Sequence, residues 1–402
     1  MNGRTKFLLA VAAPVGAAII AVIVTSLVLL ATGHSPGDAL DAIVGAFGQN
    51  RTLINTFNVA ANYYLAAVAV AIGFKMNLFN IGVDGQYRLA ALLAAWVAGM
   101  SFMNGLPSVL RIVITILVAM IVGAAWASIA ALLKVTRGVS EVISTIMLNA
   151  IGLALGAWLL STDHLAVAAG NNVSTQPITE GGTIPTIAIG GSSTPLYPMI
   201  GLALLVGLIY AFLLSRTVFG FSIKATGMSE SAAVASGINV KKMIFAAMLL
   251  SGAVAGLVGM PELLTGREGA FSLNFPTGIG FIGIAVALLG RNHPVGMILA
   301  SLLWSALDAS SNSLQGADIP KELVTIMQGV LLFAVVIAYE IVRRARRRLE
   351  QRTVARTLAA APPPGGGDPD AGGFGGGGRD DGPDDPLPAG PGTPDLQKAV
   401  SS

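Results

Sequence analysis

No cysteine occurs anywhere in the chain, which excludes a disulfide framework, a thiol nucleophile and any thiolate metal site. Histidine is almost as scarce: His34, His164 and His293 stand far apart and form no ligand spacing. Charge is thin. Asp, Glu, Lys and Arg together make up 11% of the residues, against about a quarter in soluble domains, too few to wet the surface of a water-soluble globule of this size. No G-x-x-x-x-G-K-[ST] loop occurs, so the chain has no recognisable nucleotide site of its own. The segment LSGAV at Leu250 superficially resembles an ATPase signature, but it lies within an apolar run and is rejected. His-Glu-x-x-His, Gly-x-Ser-x-Gly and paired carboxylates in a plausible site are missing too. An enzyme is not expected, nor a metal, a cofactor or a nucleic-acid partner.

What the chain does have is apolar length. Hydrophobic residues account for 54% of it and the mean hydropathy is +0.74, so the natural solvent is lipid. A spanning helix takes roughly 20 apolar residues. Ten segments approach this: 7–31, 56–74, 84–103, 109–133, 142–160, 197–214, 243–260, 277–290, 295–314 and 322–342. The fold class expected is an all-α polytopic bundle. The first segment follows Arg4 and Lys6 and is longer than the ~7–15 residues of a signal-peptide core, so it reads as an uncleaved first span. The eighth is short and glycine-rich, as in a broken or re-entrant helix, and two such weak segments would lower the count to eight.

Lys and Arg concentrate on one side. With the amino terminus inside, the inner loops and termini hold Arg4, Lys6, Lys75, Lys134, Arg137, Arg216, Lys224, Lys241, Lys242, Arg291 and the run Arg343–Arg348. The outer loops hold only Arg51, Arg111, Arg267 and Lys321. Both termini are therefore expected in the cytoplasm. The outer loop from Ser161 to Pro195 fits either a face that meets something outside the membrane or an unstructured connector. The chain is expected to divide into a membrane domain, 1–348, and a cytoplasmic tail, 349–402. In the tail Pro, Gly and Asp come to dominate from about Ala359 and disorder is expected. The basic run before it suits anionic lipid headgroups.

Polar residues at membrane depth are the candidate functional groups. FNIGVDGQYRLAA places Asn80, Asp84, Gln86 and Arg88 at the start of the third segment, either as pathway groups or as an ordinary helix start with Asp84 and Arg88 one turn apart. Glu141 and Asn149, and Asp308 and Asn312, pose the same choice between a solute path and interhelix hydrogen bonding. Asn58 and Asn62 in the second segment complete the set of pathway candidates. The small-residue patterns GLALG at Gly152 and GAVAG at Gly252 suit close helix crossings.

On the inner side, RTVFGFSIKATGMSESAAVASGINVKKMIF contains a short small-residue helix. Ser229 suits its N-cap, Glu230 its first turn and Gly237 its C′ position. Flanked by cations, it fits a groove on another protein or serves as a plain amphipathic connector.

Three stretches, Phe79–Gln86, Ile223–Gly259 and Gly280–Trp304, resemble the permease subunits of ABC importers in the family that handles branched-chain amino acids, ribose-type sugars and nucleosides. The resemblance covers roughly residues 55–340. It implies that Gly227, Met228, Ser229, Glu230, Ser231, Ala232, Ala233, Ala235, Ser236 and Gly237 form the coupling segment that docks on an ATPase subunit. The third stretch, with GRNHP where ribose-type relatives have a GG segment, is similar to the nucleoside branch. Where the family usually carries Glu, this chain has Asp84, a shorter reach, and the acidic Gly-rich tail is not a family feature. The implied partners are two cytoplasmic ATPase subunits, which would carry the ATP, a second related permease or a copy of itself, and an external solute-binding protein or lipoprotein. The implied place is the inner membrane. Nucleosides are the expected cargo, then simple sugars, then branched-chain amino acids. The rival expectation is an ion-coupled transporter using Asp84, Glu141 or Asp308. An ion channel is disfavoured by the lack of a repeated filter-like segment.

Overall fold

The computed structural model describes residues 3–169, 172–265 and 269–360. Apolar runs that must satisfy their own backbone in lipid become helices, and each of the ten expected segments coincides with one. In chain order the helices are α1 Gly3–Ala31, α2 Pro36–Ala46, α3 Asn50–Phe74, α4 Val83–Ala98, α5 Ser108–Arg137, α6 Glu141–Leu159 and α7 Met199–Arg216. They continue with α8 Val218–Met228, α9 Glu230–Ala235, α10 Val240–Gly256, α11 Met260–Leu264, α12 Ile279–Leu289, α13 Pro294–Gly316 and α14 Lys321–Ala360. The described strands are a small hairpin, β1 Val167–Ala169 and β2 Asn172–Ser174, with Val167 opposite Ser174.

Among the described residues seven helices are long and apolar enough to cross a membrane, or eight if α1 and α2, bent by 116°, make one broken span. The expected third and eighth segments are helical but short. Helix α4 has 16 residues and α12 has 11, both below the length of a full crossing. The bend after α1 has a local cause: Gly33 takes φ +81, and Ser35 caps α2 by accepting from Asp38 N at 3.3 Å.

Helix α3 sits at the centre, with 83% of its apolar stretch buried, against 22% for α5. It packs on α7, α10, α12 and α13. Helices α5 and α10 cross most closely, and the reason is the glycine pattern noted at Gly252. A Cβ on Gly252 would overlap Gly123 O and Ala127 Cβ, and one on Gly256 would overlap Ala119 O. Gly152 of α6 faces Gly85 of α4 more loosely: a Cβ there would meet Gly85 Cα at an ordinary contact of 3.4 Å.

The described part of the loop from Ser161 to Pro195, expected on the outer side, is folded rather than an unstructured connector. Thr175 N donates to Phe271 O (2.9 Å), Ile178 N to Gly269 O (2.8 Å) and Ile184 N to Leu264 O (2.6 Å). Arg111, counted from sequence as an outer-loop charge, is 5% exposed. It donates to Glu180 O (3.0 Å), Thr179 O (3.3 Å) and Asn104 Oδ1 (3.3 Å). A buried guanidinium with several acceptors is the anchor of this loop. Arg267 lies outside the described residues.

The chain divides into two units, residues 1–347 and 348–402. In the second unit the described residues, 348–360, are helical. The composition explains this: the stretch RLEQRTVARTLAA is built mainly of good helix formers, and the Pro/Gly-rich sequence starts only after it. The rest of the expected tail, 361–402, lies outside the described residues.

Candidate functional site

Two regions carry the residues of interest, one at the short helices α8 and α9 and one at the chain between α3 and α4. The first is built by a sharp descent from α7. Thr217 Oγ1 accepts from Gly220 N at 3.0 Å and caps α8, and Gly220 lies so close to Leu213 O and Leu214 Cα that a Cβ there would overlap both. Helix α8 ends at Met228 because Ser229 is extended, with φ −162 and ψ 115. Ser229 then caps α9, its hydroxyl accepting from Ala232 N at 3.3 Å. At the other end Gly237 adopts φ +80, and Ile238 N reaches back to Ala233 O at 2.9 Å. The caps read from the sequence are therefore the ones that form.

The faces of this segment are unequal. Met228 is 82% exposed and Val234 62%, while Ala233 is 2% exposed and packs inward. Glu230, Ser231, Ala232, Ala235, Ser236 and Gly237 are exposed, and Ser229 and Gly227 are half-buried. Beside α9 lies a groove of about 750 Å³ lined by Lys134, Val135, Val234, Ile238, Lys241 and Ile244. Its lining also includes Glu230, Ser231 and Asn239, so the groove mixes apolar, polar and charged groups.

The second region surrounds residues 75–86. After α3 the chain turns at Asn77, in the left-handed conformation at φ 54, and runs without helix to Val83. Asn80, fully buried, donates to Gln86 Oε1 (3.0 Å) and Ser251 Oγ (2.8 Å). Its Oδ1 accepts from Gly82 N (3.1 Å) and Gln86 Nε2 (3.0 Å). The Ser251 hydroxyl donates on to Ala69 O at 2.6 Å. Asn149 accepts from Gly85 N at 2.8 Å and donates to Ile81 O at 2.7 Å. Glu141 pairs with Lys134 Nζ at 2.6 Å and faces Phe79 N at 3.5 Å. Asp84 Oδ1 accepts from Gly280 N at 3.2 Å. Buried non-helical backbone needs partners from the surrounding protein, and these side chains supply them here. At the edge, burial and the neighbouring Lys224 hold the Lys75 amine below the ordinary lysine range.

The remaining candidates lie towards the other end of α3. Asn58 donates to Pro195 O and accepts from Tyr197 N, each at 2.9 Å. Asn62 donates to Glu262 Oε1 at 3.1 Å. Asp308 accepts from the Tyr63 hydroxyl and from Gln328 Nε2 at 2.6 Å. Asn312 is exposed on α13. The structure thus brings Asn80, Asp84, Gln86, Glu141 and Asn149 together and leaves Asn58, Asn62, Asp308 and Asn312 outside that cluster. Sequence reasoning missed Glu262, Tyr63, Gln328 and Ser251. Glu262 had a signal, a single carboxylate inside the apolar run LVGMPELL; the hydroxyl and amide groups had none. Among the described residues no group of three or more His, Asp or Glu is placed to hold a metal. The arrangement offers no nucleophile–base pair, and what it does offer is rigid linkage between helices.

A model of the family described as "Branched-chain amino acid transport system / permease component" matches residues 52–336. The chain is 33% identical over 335 residues to the guanosine ABC transporter permease protein NupP of Bacillus subtilis, covering 82% of this chain and 93% of the relative. It is 30% identical over 347 residues to the nucleoside ABC transporter permease protein NupB of Lactococcus lactis subsp. cremoris, covering 84% and 93%. It is 32% identical over 342 residues to the glucose ABC transporter permease protein TsgB13 of Haloferax volcanii, covering 81% and 87%.

Proposed function

The chain belongs to the family of branched-chain amino acid transport system permease components, and from that premise we propose that it is the membrane-spanning subunit of an ABC importer that translocates nucleosides. The observation that carries the reading is the likeness to guanosine and nucleoside permeases over more than four-fifths of the chain, 82% and 84%. That length includes both the α8–α9 segment and the cluster around residues 75–86.

Mechanism follows from what the chain lacks and holds. With no nucleotide loop of its own, it takes its energy from cytoplasmic ATPase subunits, and it needs no cofactor. The exposed α8–α9 segment, residues Gly227–Gly237, is the surface that meets the ATPase. ATP binding and release there rock the helix bundle between outward- and inward-open arrangements. A second related permease or a copy of this chain completes the pore. An external solute-binding protein or lipoprotein delivers the cargo to the outer loops, among them the one that Arg111 ties down at Thr179 and Glu180. The protein works in the cell's inner membrane with both termini inside. Ten crossings are supported by the Lys/Arg asymmetry when α4 and α12 each run part of the depth beside non-helical chain. Asn62 and Asp308, at the Asn62–Glu262 and Tyr63–Asp308–Gln328 contacts, and the exposed Asn312 are the pathway candidates kept. Asn58, Asn80, Asp84, Gln86, Glu141 and Asn149 form the frame. The residues after α14 are dispensable on composition.

An ion-coupled mechanism is not favoured. Its candidate carboxylates Asp84, Glu141 and Asp308 all hold hydrogen-bonding partners that fix backbone or neighbouring helices. The test is uptake of labelled guanosine, adenosine and uridine, against glucose, ribose and leucine, in cells with and without the gene for this chain. ATP-dependent nucleoside uptake that disappears with the gene supports the reading. Loss of glucose uptake with nucleoside uptake intact would replace the cargo and leave the permease reading in place.

A further inference from the structure

The α8–α9 segment does not touch the cluster around residues 75–86 through long, loosely packed side chains. It does so through backbone. A Cβ on Gly227, at the end of α8, would overlap Lys75 O and approach Met76 Cα at 2.9 Å. The chain after α3 therefore lies directly on Gly227 in the last turn of α8, two residues before the Ser229 hinge into α9. Asn77 clamps this seat: its Nδ2 donates to Gly227 O at 2.6 Å. The clamp requires an unusual backbone, φ 54 at Asn77, a conformation that asparagine enters more readily than most side chains.

From Asn77 the chain enters the interior within three residues, and every joint beyond is hydrogen-bonded. Asn80 is tied to Ser251 of α10, Ile81 to Thr145 (3.3 Å) and Asn149 of α6, and Asp84 of α4 to Gly280 of α12. Helix α12 is short, 11 residues from Ile279, with Gly278 at φ +80 as its N-cap. Residues 75–84 thus form one stiff bar. One end rests on the coupling segment and the other holds the free start of a half-length helix.

We propose that Asn77 is a positioning residue that latches this bar to Gly227, so that movement of α8–α9 on the ATPase is delivered to the start of α12. The inference rests on the importer reading above. The latch bonds a carbonyl, so it needs a donor at position 77. Asn77→Asp keeps the size and the tolerance of positive φ, but removes the donor and sets a carboxylate against Gly227 O. Asn77→Gly keeps the backbone and removes the side chain.

The experiment uses the complete transporter in lipid vesicles, with its ATPase, its permease partner and its binding protein, and measures ATP hydrolysed per guanosine imported. Loss of one hydrogen bond weakens a linkage about fivefold. Both variants are expected to import guanosine about fivefold more slowly while ATP hydrolysis continues, so the ratio rises by that factor. A residue that only supported the fold would lower import and hydrolysis together and leave the ratio unchanged, and that result overturns the latch. Loss of assembly in both variants would likewise make Asn77 a folding residue and overturn it. Failure of the importer reading shows itself differently, as absence of ATP-driven guanosine import by the unaltered transporter.

Discussion

Asp84 in the first turn of α4 accepts the backbone N–H of Gly280 at 3.2 Å, joining two short helices that are 196 residues apart in sequence. A Cβ on Gly280 would overlap Asp84 N, so the contact requires glycine at position 280. Asp84→Ala leaves a buried N–H without its partner, at a cost of about 1–3 kcal/mol. Asp84→Asn keeps an acceptor and is expected to keep most transport. Guanosine uptake and the thermal midpoint of the purified complex, measured side by side, check this. Wild-type uptake and stability in Asp84→Ala would remove the contact from the mechanism.

The two alanines at the heart of α9 are expected to behave differently. Sequence reasoning treats Ala232 and Ala233 alike, yet Ala233 is buried at 2% and Ala232 is exposed. Ala232→Glu should insert, fold and fail to take up solute with ATP. Ala233→Glu should be lost at the folding stage, because an unpaired buried charge costs several kcal/mol. Membrane yield and co-purification of the ATPase separate the two. Equal behaviour would show that the face assigned to the ATPase is wrong.

Glycines divide by what surrounds them. Gly252→Ala places a methyl into Gly123 and Ala127 and should destabilise by about 1–3 kcal/mol through overpacking. Gly201→Ala in α7 meets nothing within 4 Å and should stabilise by roughly 0.5–1 kcal/mol, the helix advantage of alanine over glycine. Denaturation midpoints in detergent give the sign of each.

Lys75 supplies a pH dependence. Burial and then Lys224 lower its pKa in the folded chain, so between the folded and the unfolded value the unfolded chain binds more protons. Stability should rise with pH across that window. Lys224→Gln removes one of the two causes and should move half-maximal acylation of the Lys75 amine to higher pH, read by peptide mass spectrometry. An unchanged midpoint would leave burial as the whole cause.

Local signals were legible because their causes are local. The ten apolar stretches became helices, since a backbone in lipid must bond to itself whatever surrounds it. Ser229, Glu230 and Gly237 delimit α9 because caps depend on φ, ψ and a side chain three residues away. The split between α8 and α9 follows from the same Ser229. What the amino-acid order alone left open was the use of each polar group. Asn58, Asn62 and Asp84 find their partners at Pro195, Glu262 and Gly280, and no spacing rule reaches that far. From sequence Asn80, Asn149 and Glu141 fit either a solute path or interhelix hydrogen bonding, and only packing gives their partners on the backbone of residues 79–85. The span count was open for the same reason. Helices α4 and α12 can stop short because neighbouring elements satisfy the chain beyond their ends, as the side chains of α6 and α10 do for residues 79–82 before α4, and that shelter exists only once the bundle has formed.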